Sequence, residues 1–155
     1  MEPVVIQVDA FKVLGVMEHF KNASEVGDSV WNKFVKYQKT IVPFSIDKGS
    51  YGVYFGEHDK ELDYLAGMSV GKVERVAEGL VLREVPAGTY AKFRGTIKTI
   101  GDTWGYIWRQ WFRVSPYVHD VDRPSFDYFP PNTVSADSIV FMYVPVKEKG
   151  RIGRT

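Results

Sequence analysis

The sequence contains no cysteine among its 155 residues. That absence excludes thiol catalysis, thiolate metal ligands and disulfide bonds. The three histidines, His19, His58 and His119, lie too far apart to read as a zinc motif, and the sequence has neither a glycine-rich phosphate loop nor a nucleophile elbow. We therefore predict that the protein uses no metal and no other cofactor.

An excess of charge of one sign and long hydrophobic runs are also missing. The 20 Lys and Arg residues nearly balance the 19 Asp and Glu residues, which leaves a net charge of +1. Such a surface has no strong field to attract phosphates or an anionic membrane. No apolar run approaches the roughly 20 residues of a membrane span, and no basic and apolar leader follows Met1. These absences predict a cytoplasmic protein with no direct nucleic-acid partner and no membrane partner.

Aromatic residues, by contrast, are abundant. Nine Tyr, ten Phe and four Trp make up 15% of a chain that is 45% apolar. Flat rings give a large contact area with few rotatable bonds, so an aromatic excess often lines a ligand pocket. The alternative is that the rings form a tryptophan-rich core.

The sequence repeats itself at a spacing of about 77 residues. Residues 8–13 align with 85–90, and Trp31 aligns with Trp108. Each half then has an aromatic strand, at 51–55 and 126–129, and ends on an apolar strand, at 64–70 and 139–146. Two copies of one unit usually pack about a pseudo-twofold axis and leave a concave seam. We predict one domain over residues 1–150, built from repeats 1–76 and 77–150, with a flexible tail over 151–155.

Local patterns predict the elements of each repeat. Strands are expected at 4–8 and 10–17 in the first half and at 79–85 and 89–94 in the second. Helices are expected near 30–38 and after Gly101, and the second carries an apolar stripe of Trp104, Ile107, Trp108 and Trp111. The prediction is an α+β fold of two pseudo-twofold-related β-α-β-β repeats, with helices packed on an antiparallel sheet and a ligand groove between the repeats.

These segments resemble the GyrI-like effector-binding family, the small-molecule domain of AraC-type and MerR-type multidrug regulators and of standalone proteins. The matching pieces are Val85-Pro86-Ala87-Gly88-Thr89-Tyr90, Ile107-Trp108-x-x-Trp111 with Ser115 following, Phe126-Asp127-x-Phe129, and Met142-Tyr143-Val144-Pro145-Val146-Lys147. The resemblance implies a groove with a buried acid at its base and aromatic walls that accept bulky, apolar, often cationic ligands. The family acid is usually Glu in a pattern like Phe-Glu-x-Tyr, so this chain has a shorter carboxylate at Asp127 and no phenol at Phe129.

Asp127 is the centre of the predicted site. Burying an unpaired carboxylate is costly, so it needs a partner. A cationic ligand would be one, and the rings would add a cation–π attraction of about 0.5 to 2 kcal/mol. The alternative is a salt bridge to Arg123 or a hydrogen bond from a tyrosine. Aligning the aromatic strands sets Gly52 against Asp127 and Tyr54 against Phe129, so the acid has no counterpart; Gly52 could instead mark a bulge or a close strand crossing.

The other candidates lie on the second helix and the last strand. A tryptophan stripe at helical spacing is more often packing than a binding wall, and we expect Ile107 and Trp111 to be structural. Trp104 or Trp108 is expected to reach the groove, and Tyr143 to close its opposite wall unless it is an ordinary cross-strand partner. The predicted ligand-binding residues are Asp127, Tyr54, Trp104, Trp108, Phe129, Tyr143 and Gly52.

The sequence thus predicts a standalone binding module for apolar, cationic small molecules that senses or sequesters a drug or effector. The two repeats leave no helix-turn-helix segment, so a role in transcription would require another protein. The alternative is a hydrolase. Resemblance to GyrI-like enzymes that open strained, cyclopropane-containing compounds implies Asp127 as general base, with a hydroxyl from Tyr54 or Tyr143. Other members of the family also imply inhibition of a protein partner such as gyrase.

Overall fold

The computed structural model describes residues 2–150, so the predicted tail at 151–155 lies outside the described residues. The strands are β1 Val4–Val8, β2 Phe11–Phe20, β3 Ser50–Phe55, β4 Leu62–Val70, β5 Val81–Val85, β6 Gly88–Thr96, β7 Tyr117–His119, β8 Ser125–Phe129 and β9 Ile139–Glu148. The helices are α1 Asp28–Ile41, α2 Ile100–Tyr106 and α3 Phe112–Val114, with a π-helical turn at Ile107–Trp111 between the last two. Short 3-10 turns occur at Ala23–Glu25, Val42–Phe44 and Ile97–Thr99.

The strands form an antiparallel sheet in the order β1-β6-β9-β8-β3-β4-β2-β5, and β7 pairs with β9 outside this path. From the central pair β8 and β3 outward, the two sides have the same sequence of elements, with β9 and β6 on one side and β4 and β2 on the other. The predicted α+β fold with helices on an antiparallel sheet is therefore confirmed.

The first strand of each repeat pairs with the other repeat. Val8 lies opposite Gly88 and Phe11 lies opposite Val85, so β1 pairs with β6 and β5 pairs with β2. The chain crosses between the two halves at residues 9–10 and again at 86–87, where Pro86 has no amide hydrogen for a ladder. The strands predicted at 4–8 and 79–85 are thus present, and each of them pairs with the other repeat instead of its own.

Strand alternation divides the core between the two faces of the sheet. The helices cover one face. There α1 packs against Tyr64, Ala66 and Met68, and the second helical segment packs against Phe93, Met142 and Val144. The opposite face has its own buried cluster, which consists of Val13, Val53, Leu65, Val85, Tyr90 and Phe126. Ile107 and Trp111 are buried in the helix-covered core, as expected.

The central pair of strands sets the seam between the repeats. Gly52 lies directly opposite Asp127, with Tyr54 opposite Ser125 and Ser50 opposite Phe129. All of these residues point to the helix-covered face, because Tyr54 is also level with the buried Tyr64 of β4. Among residues 2–150 no helix combines the length and apolar character that a membrane crossing requires.

Candidate ligand site at the seam

Asp127 is buried at the centre of the sheet, with 1% of its surface exposed. Its Oδ2 accepts a hydrogen bond of 2.8 Å from the Tyr54 hydroxyl, and its Oδ1 accepts one of 2.8 Å from Trp104 Nε1. Burial raises the pKa of Asp127 to about 7, against the lowering effect of these two hydrogen bonds. Arg123 pairs with Asp120 at 3.0 Å instead, so the tyrosine alternative was right and the Arg123 alternative was wrong.

The donors of Asp127 come from both repeats. Tyr54 lies on β3, and its ring packs at 4.9 Å from Tyr64 and 5.7 Å from Trp104, measured between centroids. Burial, followed by the nearby Asp127 charge, raises the pKa of Tyr54 well above its usual value. Tyr54 therefore keeps its proton and remains a donor at any physiological pH.

Gly52 makes room for a second phenol beside the acid. A methyl group at this position would overlap the hydroxyl oxygen of Tyr64. Burial and the Asp127 charge raise the pKa of Tyr64 well above its usual value, and a hydrogen bond with Trp31 opposes that rise. Gly52 thus marks a close approach of a side chain to the backbone. It is neither a bulge nor a strand crossing, because it pairs in regular register with Ala66 and Asp127.

A cavity of about 540 Å³ opens beside Asp127 on the helix-covered face. Helix α1, β3 and β4 of the first repeat line it together with β8, the residues after β8 and the start of α2 in the second. Its aromatic walls include Trp31, which is 5.2 Å from the Phe129 ring and 6.2 Å from the Tyr64 ring. The lining residues are Val26, Gly27, Asp28, Trp31, Phe34, Val35, Gln38, Lys48, Ser50, Tyr54, Tyr64, Ile97, Ile100, Asp127, Phe129, Pro130, Pro131 and Thr133.

Charged groups around the cavity are few. Asp28, Asp127 and Lys48 are the ionisable side chains of the lining other than tyrosines. The ammonium of Lys48 donates to the carbonyl oxygens of Val42 and Ser45, at 2.9 and 3.1 Å. Its charge is thereby held against the backbone at one end of the cavity. None of the ion pairs among the described residues involves Asp127, so the buried carboxylate has neutral donors as its protein partners.

The structure brings most of the predicted residues together. Tyr54, Phe129 and Asp127 line the cavity. Trp104 is not part of the lining, and its indole nitrogen donates a hydrogen bond to Asp127. Gly52 lies beneath Tyr64.

Two predicted positions need correction. Trp108 lies outside the cavity lining, because the loop between β3 and β4 places His58 on its ring at 4.0 Å in a parallel stack. Tyr143 lies on the opposite face of the sheet, where it stacks on Phe126 at 4.5 Å, because alternation on β9 turns its neighbour Met142 to the Asp127 side. Of the two hydroxyls named for the hydrolase alternative, that of Tyr54 therefore lies beside the acid and that of Tyr143 does not.

Sequence reasoning missed Trp31 and Tyr64 as site residues. Trp31 is the repeat equivalent of Trp108, so the repeat alignment pointed to it as a candidate. The alignment could not show which of the two rings faces the cavity. Tyr64 shares its face with Ala66 and Met68 by strand alternation, which was readable once the strand was known. The contribution of residues 130–133 had no sequence signal, because it depends on the path of an irregular segment.

Comparisons with known proteins bear on the same region. A family model described as Cass2, integron-associated effector binding protein, matches residues 5–146. Transcriptional regulator BrlR of Pseudomonas aeruginosa is 29% identical over 154 residues, which cover 94% of this chain and 56% of BrlR. The chain thus spans a little over half the length of that relative.

Two solved structures share the fold. SAV2435 bound to tetraphenylphosphonium superposes with a TM-score of 0.75 at 15% identity, over 95% of this chain and 94% of that one. The integron cassette protein VCH_CASS2, from the mobile metagenome of Vibrio cholerae, superposes with a TM-score of 0.66 at 21% identity, over 94% of this chain and 96% of that one.

Proposed function

The chain belongs to the Cass2 family of integron-associated effector-binding proteins, and from this premise we propose that its seam cavity binds an apolar, cationic small molecule with Asp127 as counter-ion. BrlR is named a transcriptional regulator, and we extend to this chain only the effector-binding part of such a role. The chain would then act by sensing or sequestering its ligand.

The observation that carries the proposal is the buried carboxylate itself. Asp127 is 1% exposed, lines the cavity and has two neutral donors but no cation among the described residues. Desolvation disfavours the charged form of a buried acid, which is why its pKa rises to about 7. A cation in the cavity would restore the favourable interaction that the protein lacks.

The walls support an apolar ligand. A volume of about 540 Å³ falls within the roughly 300–1,000 Å³ of small-molecule pockets. Trp31, Tyr54 and Phe129 offer ring surface to such a ligand, and a cation near a ring face gains about 0.5 to 2 kcal/mol as water is excluded. SAV2435, which shares the fold, was solved with tetraphenylphosphonium, a bulky apolar cation of this chemical class.

The test is a calorimetric titration at pH 8 with tetraphenylphosphonium and with neutral triphenylphosphine oxide. Asp127→Asn keeps the shape of the site and removes the charge. A charge-assisted contact is worth about 1.5 to 3 kcal/mol, so we expect a roughly ten- to hundredfold loss of affinity for the cation. Affinity for the neutral analogue should change little.

Asp28→Asn is the matched control, because Asp28 also lines the cavity but is exposed to solvent that screens its charge. We expect a change of less than about threefold for that variant. An unchanged affinity of Asp127→Asn for tetraphenylphosphonium would overturn the proposal. An equal loss for the cation and the neutral analogue would show lost structure instead of lost charge, and would also count against it.

A further inference from the structure

The helix-free face of the sheet holds a second cavity of about 470 Å³, and we propose that it is a separate binding site for a planar aromatic cation. It shares no lining residue with the first cavity. The separation follows from strand alternation at the seam, because Tyr51 and Tyr128 face this side while Gly52 and Asp127 face the other. Two ligands could therefore be bound at once.

Five aromatic rings from both repeats line the second cavity. Phe11 lies 5.1 Å from Tyr51 and 5.3 Å from Phe126, measured between ring centroids. Tyr51 lies 4.9 Å from Tyr128, and Phe126 stacks on Tyr143 at 4.5 Å and 15°. Because each ring is held by another, the aromatic surface is formed before a ligand arrives, and a flat ligand can stack on it at little cost in side-chain entropy.

A fixed carboxylate supplies the polar side of the cavity. The Oδ2 of Asp47 accepts a hydrogen bond of 2.7 Å from the Tyr51 hydroxyl, and its Oδ1 accepts one of 2.9 Å from the amide of Gly49. Both bonds hold the carboxylate in place, and each oxygen keeps a further lone pair for a ligand. Asp47 is therefore an oriented acceptor at the edge of the aromatic surface.

The hydroxyl of Ser69 is a second polar group without an established task. Ser69 is 4% exposed, lines this cavity and makes no hydrogen bond of normal length. Burial and Asp47 raise the pKa of the neighbouring Tyr51 phenol, and Ser69 lies close enough to that phenol to oppose the rise. The Ser69 hydroxyl is therefore a further donor and acceptor at the cavity wall that a bound ligand can contact.

The charges facing the cavity select a cation. The titratable side chains of its lining are Asp47 and the tyrosines at 51, 128 and 143. Burial raises the pKa of all three tyrosines, and the charge of Asp47 raises it further at Tyr51 and Tyr128, so their hydroxyls stay neutral. Asp47 is then the charged group of the lining, which favours a cation over an anion of the same shape. The Lys92 ammonium lies 5.7 Å from the centroid of the Tyr143 ring and is not part of the lining.

The test measures the binding of proflavine, a planar aromatic cation that fluoresces, to the protein. We expect proflavine to bind whether or not tetraphenylphosphonium saturates the first cavity. Asp47→Asn should weaken proflavine binding at least tenfold and leave tetraphenylphosphonium affinity within twofold. Asp127→Asn should leave the affinity of proflavine for this site within twofold.

Tyr143→Leu removes one ring without touching Asp47 and guards against a structural effect of Asp47→Asn. We expect it to weaken proflavine binding at least fivefold, and a planar carboxylate such as anthracene-2-carboxylate to bind at least tenfold more weakly than proflavine. Displacement of proflavine by tetraphenylphosphonium, mole for mole, would overturn the second site while leaving the first intact. So would unchanged proflavine affinity in both Asp47→Asn and Tyr143→Leu.

Discussion

At the scale of single residues, Asp127 combines two opposing influences on its charge. The hydrogen bonds from Tyr54 and Trp104 favour the carboxylate, while burial disfavours it, and burial dominates. With a pKa of about 7 the group is divided between its charged and neutral forms near neutral pH. A cationic ligand would shift that balance toward the carboxylate, so ligand binding and proton release should be linked.

The same shift predicts a pH-dependent cost in stability. Asp127 has a pKa near 3.8 when unfolded and about 7 when folded, so the folded protein binds more protons between these values. Stability from this group therefore falls as pH rises from about 4 to 7 and stays low above it. Asn keeps both contacts, since its oxygen can accept from Trp104 and its amide can donate to the Tyr54 oxygen.

We expect Asp127→Asn to be more stable than the parent protein at pH 8, by on the order of 4 kcal/mol, and about equally stable at pH 4. Urea unfolding of both proteins at the two pH values measures this. The comparison cancels the titration of other groups, such as His58, whose pKa burial lowers. The same stability difference at pH 4 and pH 8 would contradict the raised pKa.

Gly52 gives a second prediction at this scale. Gly52→Ala should destabilise the protein by about 1 to 3 kcal/mol, because the new methyl overlaps the Tyr64 hydroxyl and lies 2.6 Å from its Cζ. Tyr64 is 1% exposed and held by the Tyr54 and Trp31 rings, so it has little room to move.

Urea unfolding measures this loss, with Gly101→Ala as control. A methyl at Gly101 meets nothing within 4 Å and replaces a helical glycine, so that variant should be neutral or slightly stabilising. Equal stabilities of the two variants would show that the Tyr64 side chain moves aside at little cost.

At the scale of elements, the two helices have diverged from their common pattern. Helix α1 runs without interruption for 14 residues and turns Trp31 into the cavity. Its counterpart is divided by the π-helical turn Ile107–Trp111, and Trp108 is covered by His58. Equivalent tryptophans therefore have different surroundings, one at the cavity wall and one in packing.

A matched pair of substitutions tests this difference. Trp31→Leu should weaken tetraphenylphosphonium binding about ten- to thirtyfold, because it removes an aromatic wall whose cation–π contribution is about 0.5 to 2 kcal/mol together with its contact area. Trp108→Leu should lower the melting temperature and change the affinity by less than about threefold. Calorimetry and thermal unfolding of both variants check this. A larger affinity loss for Trp108→Leu would contradict the assignment.

The sequence predicted the helices and strands well, and it predicted less well which side chains meet between them. The family resemblance identified Asp127 and Phe129, and the 77-residue repeat added Tyr54, because all three positions can be read from short sequence patterns. Tyr143 was assigned to the wrong face, since the register of β9 against β8 was needed to see that Met142 is level with Asp127. The stacking of His58 on Trp108 is a contact between distant segments, so neither local sequence pattern predicts it.

At the scale of the whole molecule, the exchanged first strands make the two repeats one unit. Strand β1 completes the sheet of the second repeat, β5 completes that of the first, and β3 pairs with β8 across the centre. The buried cluster on the helix-free face also takes residues from both halves, such as Val53 and Phe126. Neither half can bury its apolar surface without the other.

This arrangement predicts that fragments 1–76 and 77–155 need each other to fold. Each fragment alone would leave its lent strand without a partner and expose the central edge at β3 or β8, so we expect weak circular dichroism signals and aggregation. Mixed at equal concentration, the fragments should form a one-to-one complex with the spectrum of the intact chain and recover tetraphenylphosphonium binding, because the seam cavity draws its walls from both. Size-exclusion chromatography with circular dichroism measures the association. Independent, cooperative unfolding of either fragment as a monomer would show that the repeats are separate folding units, and that the exchanged strands are dispensable to the fold.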